Sequence, residues 1–386
     1  MSDLSLMIVA GERSGDMLGS ELARALRERL EDLQLFGCGG DAMRQAGVDT
    51  VVDAHRLAMM GITEVMGGLP RAYRALQTLV GEAERRRPRL AVLIDFPDFN
   101  LRLAKRLKQR GFRVVYFVSP QVWAWRRGRL RQLKARIEKM LCIFDFEEDI
   151  YRQAGVPVAY VGHPLVDLVR PKLTREEFFA RAGLESTRTT VALLPGSRQK
   201  EVAGILPIML KAAGRISLNR SAQFVVAAAP TVDAGWVEKT LLEPYAGRLT
   251  VRVATHATYD ALRHCDVAIV ASGTATLEAA LLERPMVVVY RLSRLTYRIG
   301  RLLVKVPFYS MVNILAGKPL VPELIQSEFT PSGVAAQVEY LLDHPEAREE
   351  MAKGLRAVKK RLGPGGAVGR AAAAVVELGF RIQGSG

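Results

Sequence analysis

Short runs of four to seven almost uniformly apolar residues recur along this chain, each followed by a segment in which apolar positions return every three or four residues. Leu6 to Ala10, Leu33 to Phe36, Leu90 to Phe96, Val114 to Val118, Met140 to Phe144, Val158 to Val161, Thr190 to Leu194, Phe224 to Ala228 and Val267 to Ala271 are such runs. A strand with no polar alternation is covered on both faces, and strands of this kind alternating with amphipathic helices make parallel βαβ units. The pattern therefore predicts an α/β chain of two doubly wound, Rossmann-like domains facing a central cleft. Its 386 residues, 49% hydrophobic and 25% charged, are enough for two cores of ordinary size. The first domain is expected over 1–167 and the second over 168–362, with a hinge in the stretch Pro164 to Pro171. After Pro331 only helices are expected. Gly363 to Gly366 breaks them, and the Ala-rich segment 363–386 is long enough to return to the first domain.

Cys38, Cys142 and Cys265 lie in or beside apolar runs with no CxxC spacing, so they read as buried free thiols. The chain opens directly into a strand, and no uncharged apolar run approaches the roughly 20 residues that span a bilayer. A soluble cytoplasmic protein is expected. Its net charge of +15 is unevenly spread: Arg102 to Lys139 holds thirteen Lys or Arg and one acid, Glu138, a net +12. Such a span, with Trp123 and Trp125 in it, suits nucleic acid or an anionic membrane face. The Met- and Gly-rich stretch Met60 to Pro70 reads as core filler or as a plastic lining for an apolar ligand.

Polar residues at the carboxyl ends of strands face the ligand crevice of a doubly wound sheet. Val267 to Ala271 runs into Ser272-Gly273-Thr274-Ala275-Thr276 and then a helix, whose first N–H groups are left to bind an anion. Gly273 admits a phosphate close to the backbone, Thr274 and Thr276 offer hydroxyls, and Glu278 could accept from the two hydroxyls of a ribose. The plain alternative is a helix capped by Thr274 with Glu278 in solvent. Gly196-Ser197-Arg198 repeats the strand-to-helix arrangement and adds a guanidinium suited to phosphate. No Walker lysine, no Asp-x-Asp and no GxGxxG appears, so a metal-free diphosphate site on a nucleotide sugar is the economical expectation. In the first half, Gly11 to Asp16 and Asp95 to Asn100 occupy corresponding positions. Asp98 reads as a crevice carboxylate, as a helix N-cap, or as both. His163 reads equally as a turn residue or a catalytic one.

Gly11-Glu-Arg-Ser-Gly-Asp16, Asp95-Phe-Pro-Asp-Phe-Asn100, Ser119-Pro-Gln-Val-Trp-Ala-Trp125, Val161-Gly-His-Pro-Leu165, Leu194-Pro-Gly-Ser-Arg198, Ser272-Gly-Thr-Ala-Thr-Leu-Glu278 and Met311-Val-Asn313 together closely resemble the lipid-A-disaccharide synthase family, in order across nearly the whole chain. The resemblance implies a GT-B fold and an inverting glycosyltransferase, peripheral on the cytoplasmic face of the inner membrane. It implies that UDP-2,3-diacylglucosamine and 2,3-diacylglucosamine 1-phosphate are joined into a β-1,6 disaccharide with release of UDP, without a cofactor or nucleic-acid partner. Inversion needs one carboxylate to take the acceptor's 6-hydroxyl proton while the departing UDP is stabilised. Asp98 is the first choice for the base and Glu12 the second. Arg198, Ser197 and the helix start near Thr274 would hold the diphosphate. Asn313 matches a family motif and is expected to orient the donor sugar, with Ser14, Trp123 and Trp125 on the acceptor side. Another UDP-N-acetylglucosamine enzyme, a 2-epimerase or the peptidoglycan glucosaminyltransferase, is the alternative. A homodimer is compatible with all of this.

One pattern owes nothing to the resemblance. Arg291, Arg294, Arg298, Arg301 and Lys305 recur at helical spacing beside an apolar face. They read as a solvated face or, with Arg126 to Lys139, as a surface that docks on anionic lipid.

Overall fold

The computed structural model describes residues 4–54, 57, 69–123, 128–292 and 307–380. The Met-rich residues 59–68, Trp125 and the stripe Arg294 to Lys305 lie outside them. The chain divides into two compact units, Met1–Pro164 with Leu362–Gly386, and Leu165–Arg361.

In the first unit the strands β1 (Ser5–Ala10), β2 (Gln34–Gly39), β3 (Asp49–Asp53), β4 (Leu90–Ile94), β5 (Val114–Phe117), β6 (Lys139–Cys142) and β7 (Val158–Tyr160) form one parallel sheet in the order β3-β2-β1-β4-β5-β6-β7. Helices α1 (Arg13–Arg27), α2 (Asp41–Gln45), α3 (Leu69–Arg86), α4 (Pro97–Gln109), α5 (Arg129–Arg136) and α6 (Asp145–Gln153) alternate with them. Every residue of β1 and β4 is buried, as expected of strands with no polar face. Met7, Val9, Leu93 and Tyr116 stand in the core on one side of the sheet, among the apolar faces of the surrounding helices. The run expected to end at Phe36 continues to Gly39. That extension is polar-free, and Gly37, at φ +149, lets the strand pass within contact of the Ile8 carbonyl where no side chain would fit.

The second unit carries α7 (Leu165–Leu168), α8 (Arg175–Ala182), β8 (Thr189–Leu194), α9 (Gln199–Asn219), β9 (Ala222–Ala228), α10 (Ala234–Trp236), β10 (Val251–Thr255), α11 (Thr258–His264), β11 (Val267–Ala271), α12 (Thr274–Leu281), β12 (Met286–Tyr290), α13 (Met311–Ala316), β13 (Glu323–Ile325), α14 (Pro331–Asp343) and α15 (Pro345–Arg361). Its parallel sheet runs β10-β9-β8-β11-β12-β13. The stretch Pro164 to Pro171, expected as a plain hinge, contains the single turn α7. The three cysteines are buried and unpaired with one another.

The last helix, α16 (Ala367–Phe380), packs along α1 in the first unit. Arg370 fixes its start, donating from Nε to the Val161 carbonyl at 2.9 Å and from Nη2 to the Pro364 carbonyl at 2.9 Å. Among the described residues no helix is long and apolar enough to cross a membrane.

Each sheet reverses its winding once, between β1 and β4 in the first unit and between β8 and β11 in the second. In doubly wound sheets, ligands sit beyond the carboxyl ends of the two strands at that reversal. The turns after these four strands are Gly11-Glu12, Asp95 to Asp98, Gly196 to Arg198 and Ser272 to Thr274. All four were picked from sequence, and the topology brings them together in pairs.

Candidate functional site

At the reversal in the first unit, β4 ends in an unusual piece of backbone. Asp95 (φ 46) and Phe96 (φ 48) are successive left-handed residues, although neither is glycine. Such conformations cost on the order of 1–3 kcal/mol each and persist where the surroundings over-determine them. Here they do. The Asn100 amide, fully buried, donates to the carbonyls of Ile94 at 3.1 Å and Asp95 at 2.8 Å, and the Tyr116 hydroxyl donates to the Asp95 carbonyl at 2.6 Å. The Phe96 ring then folds over Gly11, where a Cβ would stand 2.1 Å from it. This construction holds the Asp95 side chain close enough to Glu12, the N-cap of α1, for the two carboxyls to interact. Burial, reinforced by the Glu12 charge, pushes Asp95 up to about 6. A half-buried carboxyl tuned toward neutrality is suited to accept a proton.

Asp98 is placed differently from expectation. It lies inside the first turn of α4, whose N-cap is Phe96, so the capping role does not exist. Its side chain is 73% exposed, and Oδ1 receives the guanidinium of the buried Arg129 at 2.5 Å. To act as a base, Asp98 would first have to give up that partner. The reason is positional: Pro97 begins the helix two residues earlier than a cap at Asp98 would need. Asp16 is structural, its carboxylate taking the N–H groups of Gly40, Ala42 and Met43 at 2.6, 3.1 and 3.1 Å and so closing the start of α2. Ser14 is exposed in the first turn of α1.

Trp123 is pinned by its indole N–H, which donates to Glu147 Oε1 at 3.1 Å, and it meets Phe146 edge-on with centroids 5.4 Å apart. Burial pushes Glu147 up to about 7, opposed by hydrogen bonds from Ser119 and Trp123. His163 is buried against the Phe144 ring, and burial drives its imidazole down to about 4. Of its two readings the turn residue fits, because a buried neutral imidazole behind the sheet end offers no exchange of protons with a ligand.

The second unit's reversal is built from backbone instead. Gly273, at φ +151 with open space where a Cβ would be, is the N-cap of α12, so Thr274 is not the cap. The N–H groups of Thr274 and Ala275 have no partner among the described residues, and both residues are accessible. Thr276 departs from expectation: it is buried, and its hydroxyl donates to the Gly273 carbonyl at 2.8 Å, which spends it on the turn itself. Ser272 likewise bonds inward, to the Tyr309 carbonyl at 3.1 Å. Glu278, one helical turn on, is half-buried with no side-chain hydrogen bond among the described residues and with Tyr259 within electrostatic reach, and burial pushes it up to about 7. A partly desolvated carboxyl that the fold does not hydrogen-bond is suited to accept from a ligand.

The neighbouring turn is already loaded. Arg198 is exposed at the N-cap of α9, but the Ser197 N–H donates to Glu201 Oε2 at 3.1 Å, and the Glu201 side chain lies over Gly196, 2.3 Å from where a Cβ would be. A carboxylate of the chain itself thus occupies the nest in which an anion was expected.

Asn313 is a structural amide. It is 1% exposed; Nδ2 donates to the Val321 carbonyl and to Glu323 Oε1, both at 2.9 Å, and Oδ1 accepts from the Val321 N–H at 2.9 Å. Both of its N–H groups are spent within the fold, and Oδ1 keeps one lone pair. Glu323 in turn takes the N–H groups of Tyr309 and Ser310, so Asn313 shapes the turn that Ser272 leans on.

Asp95, with its supports Asn100 and Tyr116, is a candidate carboxyl that sequence reasoning passed over. The available signal was a lone acid closing an otherwise apolar strand. Glu201 was passed over too, and nothing in its spacing announced it.

Comparison with known proteins bears on the family and the fold. A profile of the family described as lipid-A-disaccharide synthetase matches residues 6–371. A lipid-A-disaccharide synthase of Myxococcus xanthus is 48% identical over 374 residues, covering 97% of both chains. Among solved structures, a UDP-GlcNAc 2-epimerase from Neisseria meningitidis, crystallised with UDP-GlcNAc, superposes with a TM-score of 0.67 at 12% identity, covering 97% of this chain and 100% of that one. The calicheamicin glycosyltransferase does so with 0.62 at 14%, covering 100% of each. At such identities the two structural matches speak for the fold alone.

Proposed function

The chain belongs to the lipid-A-disaccharide synthetase family, a family of GT-B glycosyltransferases, and from that premise we propose that it joins UDP-2,3-diacylglucosamine to 2,3-diacylglucosamine 1-phosphate with inversion, forming the β-1,6 disaccharide and UDP. What supports the division of labour is the contrast between the two reversals. The first unit offers paired carboxyls and takes the acceptor; the second offers free N–H groups, the open Gly273 and Arg198, and takes the donor.

In this reading Asp95, assisted by Glu12, accepts the proton of the acceptor's 6-hydroxyl as that oxygen attacks the anomeric carbon. Asp98, the first choice from sequence, becomes the partner of Arg129. The leaving diphosphate lies against the N–H groups of Thr274 and Ala275, with the α12 dipole and Arg198 offsetting its charge. Glu278 accepts hydrogen bonds from the ribose hydroxyls. Trp123, held by Glu147, stands on the acceptor side with Ser14. Because both substrates carry acyl chains, the enzyme works at an anionic membrane surface, and the basic span Arg102 to Lys139 supplies attraction to it. UDP release from the two lipid substrates is the direct test; an enzyme that releases none from them and instead interconverts UDP-N-acetylglucosamine and its C2 epimer would belong to the 2-epimerase reading.

A further inference from the structure

One feature of the first unit has no part in the mechanism above. Between the start of α4 and the length of α5 lies a groove of about 460 Å³ lined by Pro97, Asp98, Leu101, Arg102, Gly128, Arg129, Gln132 and Arg136. Its volume falls within the range of small-molecule sites, and its walls carry three guanidinium groups against one carboxylate. The three arginines are held in different ways. Arg129 is 5% exposed and paired with Asp98. Arg136 is half-buried, with Nη1 donating to the Leu101 carbonyl at 3.0 Å and to Gln132 Oε1 at 2.8 Å. Arg102 is exposed and has no side-chain partner among the described residues.

We propose that this groove binds a phosphate monoester. A monoester near neutral pH carries close to two negative charges and three acceptor oxygens, which matches the two guanidinium charges that Asp98 leaves uncompensated. Guanidinium forks recognise phosphate in a directed way that ammonium groups do not. Two of the three are already anchored in the fold, so less rotamer freedom is lost on binding. The apolar lining is limited to Pro97 and Leu101, too little for an acyl chain, so the groove fits a head and not a tail. At the Pro97 end it meets the start of α4, whose dipole favours an anion there.

The groove also borders the reaction centre. Asp98 is on the same turn as Asp95, and the Tyr116 hydroxyl that bonds the Asp95 carbonyl stands within the electrostatic reach of Asp98 and Arg129. Two sources share the chemistry: the phosphate of a sugar phosphate acceptor, which rests on the reaction proposed above, and the phosphate headgroup of a membrane lipid.

The full-length protein titrated with glucosamine 1-phosphate, with glucosamine as control, tests the groove without any donor or turnover. Binding of the phosphate sugar alone, weakened on the order of tenfold by Arg102→Glu, is the expected result. Arg136→Gln, checked for an unchanged melting curve, should weaken it in the same direction. Two further arms separate the sources. If the phosphate comes from the acceptor, Arg102→Glu raises KM for the acceptor, leaves KM for the UDP-sugar unchanged, and weakens binding to phosphatidic acid vesicles no more than Lys105→Glu, a charge reversal elsewhere in the basic span. If it comes from a lipid, the same variant loses the vesicles that contain phosphatidic acid and keeps its acceptor KM. Wild-type affinity in the titration, in acceptor KM and on vesicles for both variants would overturn the site. A wild-type enzyme that releases no UDP would overturn the reaction while leaving the titration to decide the groove.

Discussion

The two sheet reversals use one topology for opposite chemical loads. After β1 and β4 the protein spends backbone strain and two buried supports, Asn100 and Tyr116, to hold a carboxyl in place. After β11 it does the reverse, leaving Gly273 open and the N–H groups of Thr274 and Ala275 without a partner among the described residues, with the half-buried carboxyl of Glu278 one helical turn on. The first reversal is finished in the absence of a ligand and the second is not. A base must be oriented before substrate arrives, whereas a leaving group brings its own charge and needs a polarised vacancy. The same winding rule therefore finds both sites, but it does not say which chemistry each holds.

The largest effect should come from breaking the first reversal. Asp95→Asn keeps size and backbone contacts but removes the proton acceptor, so turnover should fall by roughly 10²- to 10⁴-fold while UDP affinity stays close to wild type. Asp98→Asn should cost far less turnover, since its carboxylate already serves Arg129. If Asp98→Asn were the dead variant and Asp95→Asn the active one, the two roles would have to be exchanged. The pH profile adds a second readout. With Asp95 raised to about 6, the active form is the ionised one, so activity should climb as pH rises through that region and level off above it. The limb should vanish from the residual activity of Asp95→Asn.

Breaking the second reversal should act on binding. Glu278→Ala should weaken UDP by about 1–3 kcal/mol, the usual loss for a charged hydrogen-bond partner, and calorimetry giving an unchanged affinity would remove Glu278 from the site. Because burial raises this carboxyl to about 7, its ionised form is lost as pH falls below that value. Affinity for a UDP-sugar, whose diphosphate does not titrate there, should decline over the same interval in the wild type. In Glu278→Gln the curve should be flat.

The contrast also explains what could be read from the sequence. The parallel α/β class, the four turns and the returning helix were legible, because uniform apolar runs, strand-to-helix glycines and an Ala-rich tail each report a local physical constraint. What was not legible is which polar atoms within a turn the fold spends on itself. Thr276, Asn313 and Asp98 all belong to motifs of the site, yet each is consumed by a partner: the Gly273 carbonyl, Val321 with Glu323, and Arg129. Whether a polar atom is free depends on what the fold brings beside it, often from far along the chain. Asp95 was missed for the complementary reason, since its left-handed backbone is dictated by Asn100 and Tyr116 and not by its own residue type.

The smallest expected effect is the most discriminating for the second reversal, because its sign is at stake. Glu201 accepts the Ser197 N–H and covers Gly196, in the position a phosphate oxygen would take at a strand-to-helix nest. If the carboxylate stands in for the absent anion, it must move aside and carry its charge away when the diphosphate binds, and that competition lowers affinity. Glu201→Gln keeps the reach and a weaker acceptor but removes the charge, so UDP should bind a few-fold more tightly, with the difference shrinking as salt screens the repulsion. If Glu201 instead holds the turn in its binding shape throughout, the same substitution loosens the turn and UDP binds more weakly at every ionic strength. A titration of UDP into both proteins at low and high salt separates these outcomes. Tighter binding would mean the second reversal keeps its vacancy filled until the donor arrives; weaker binding would mean that it, like the first, is finished before any ligand comes.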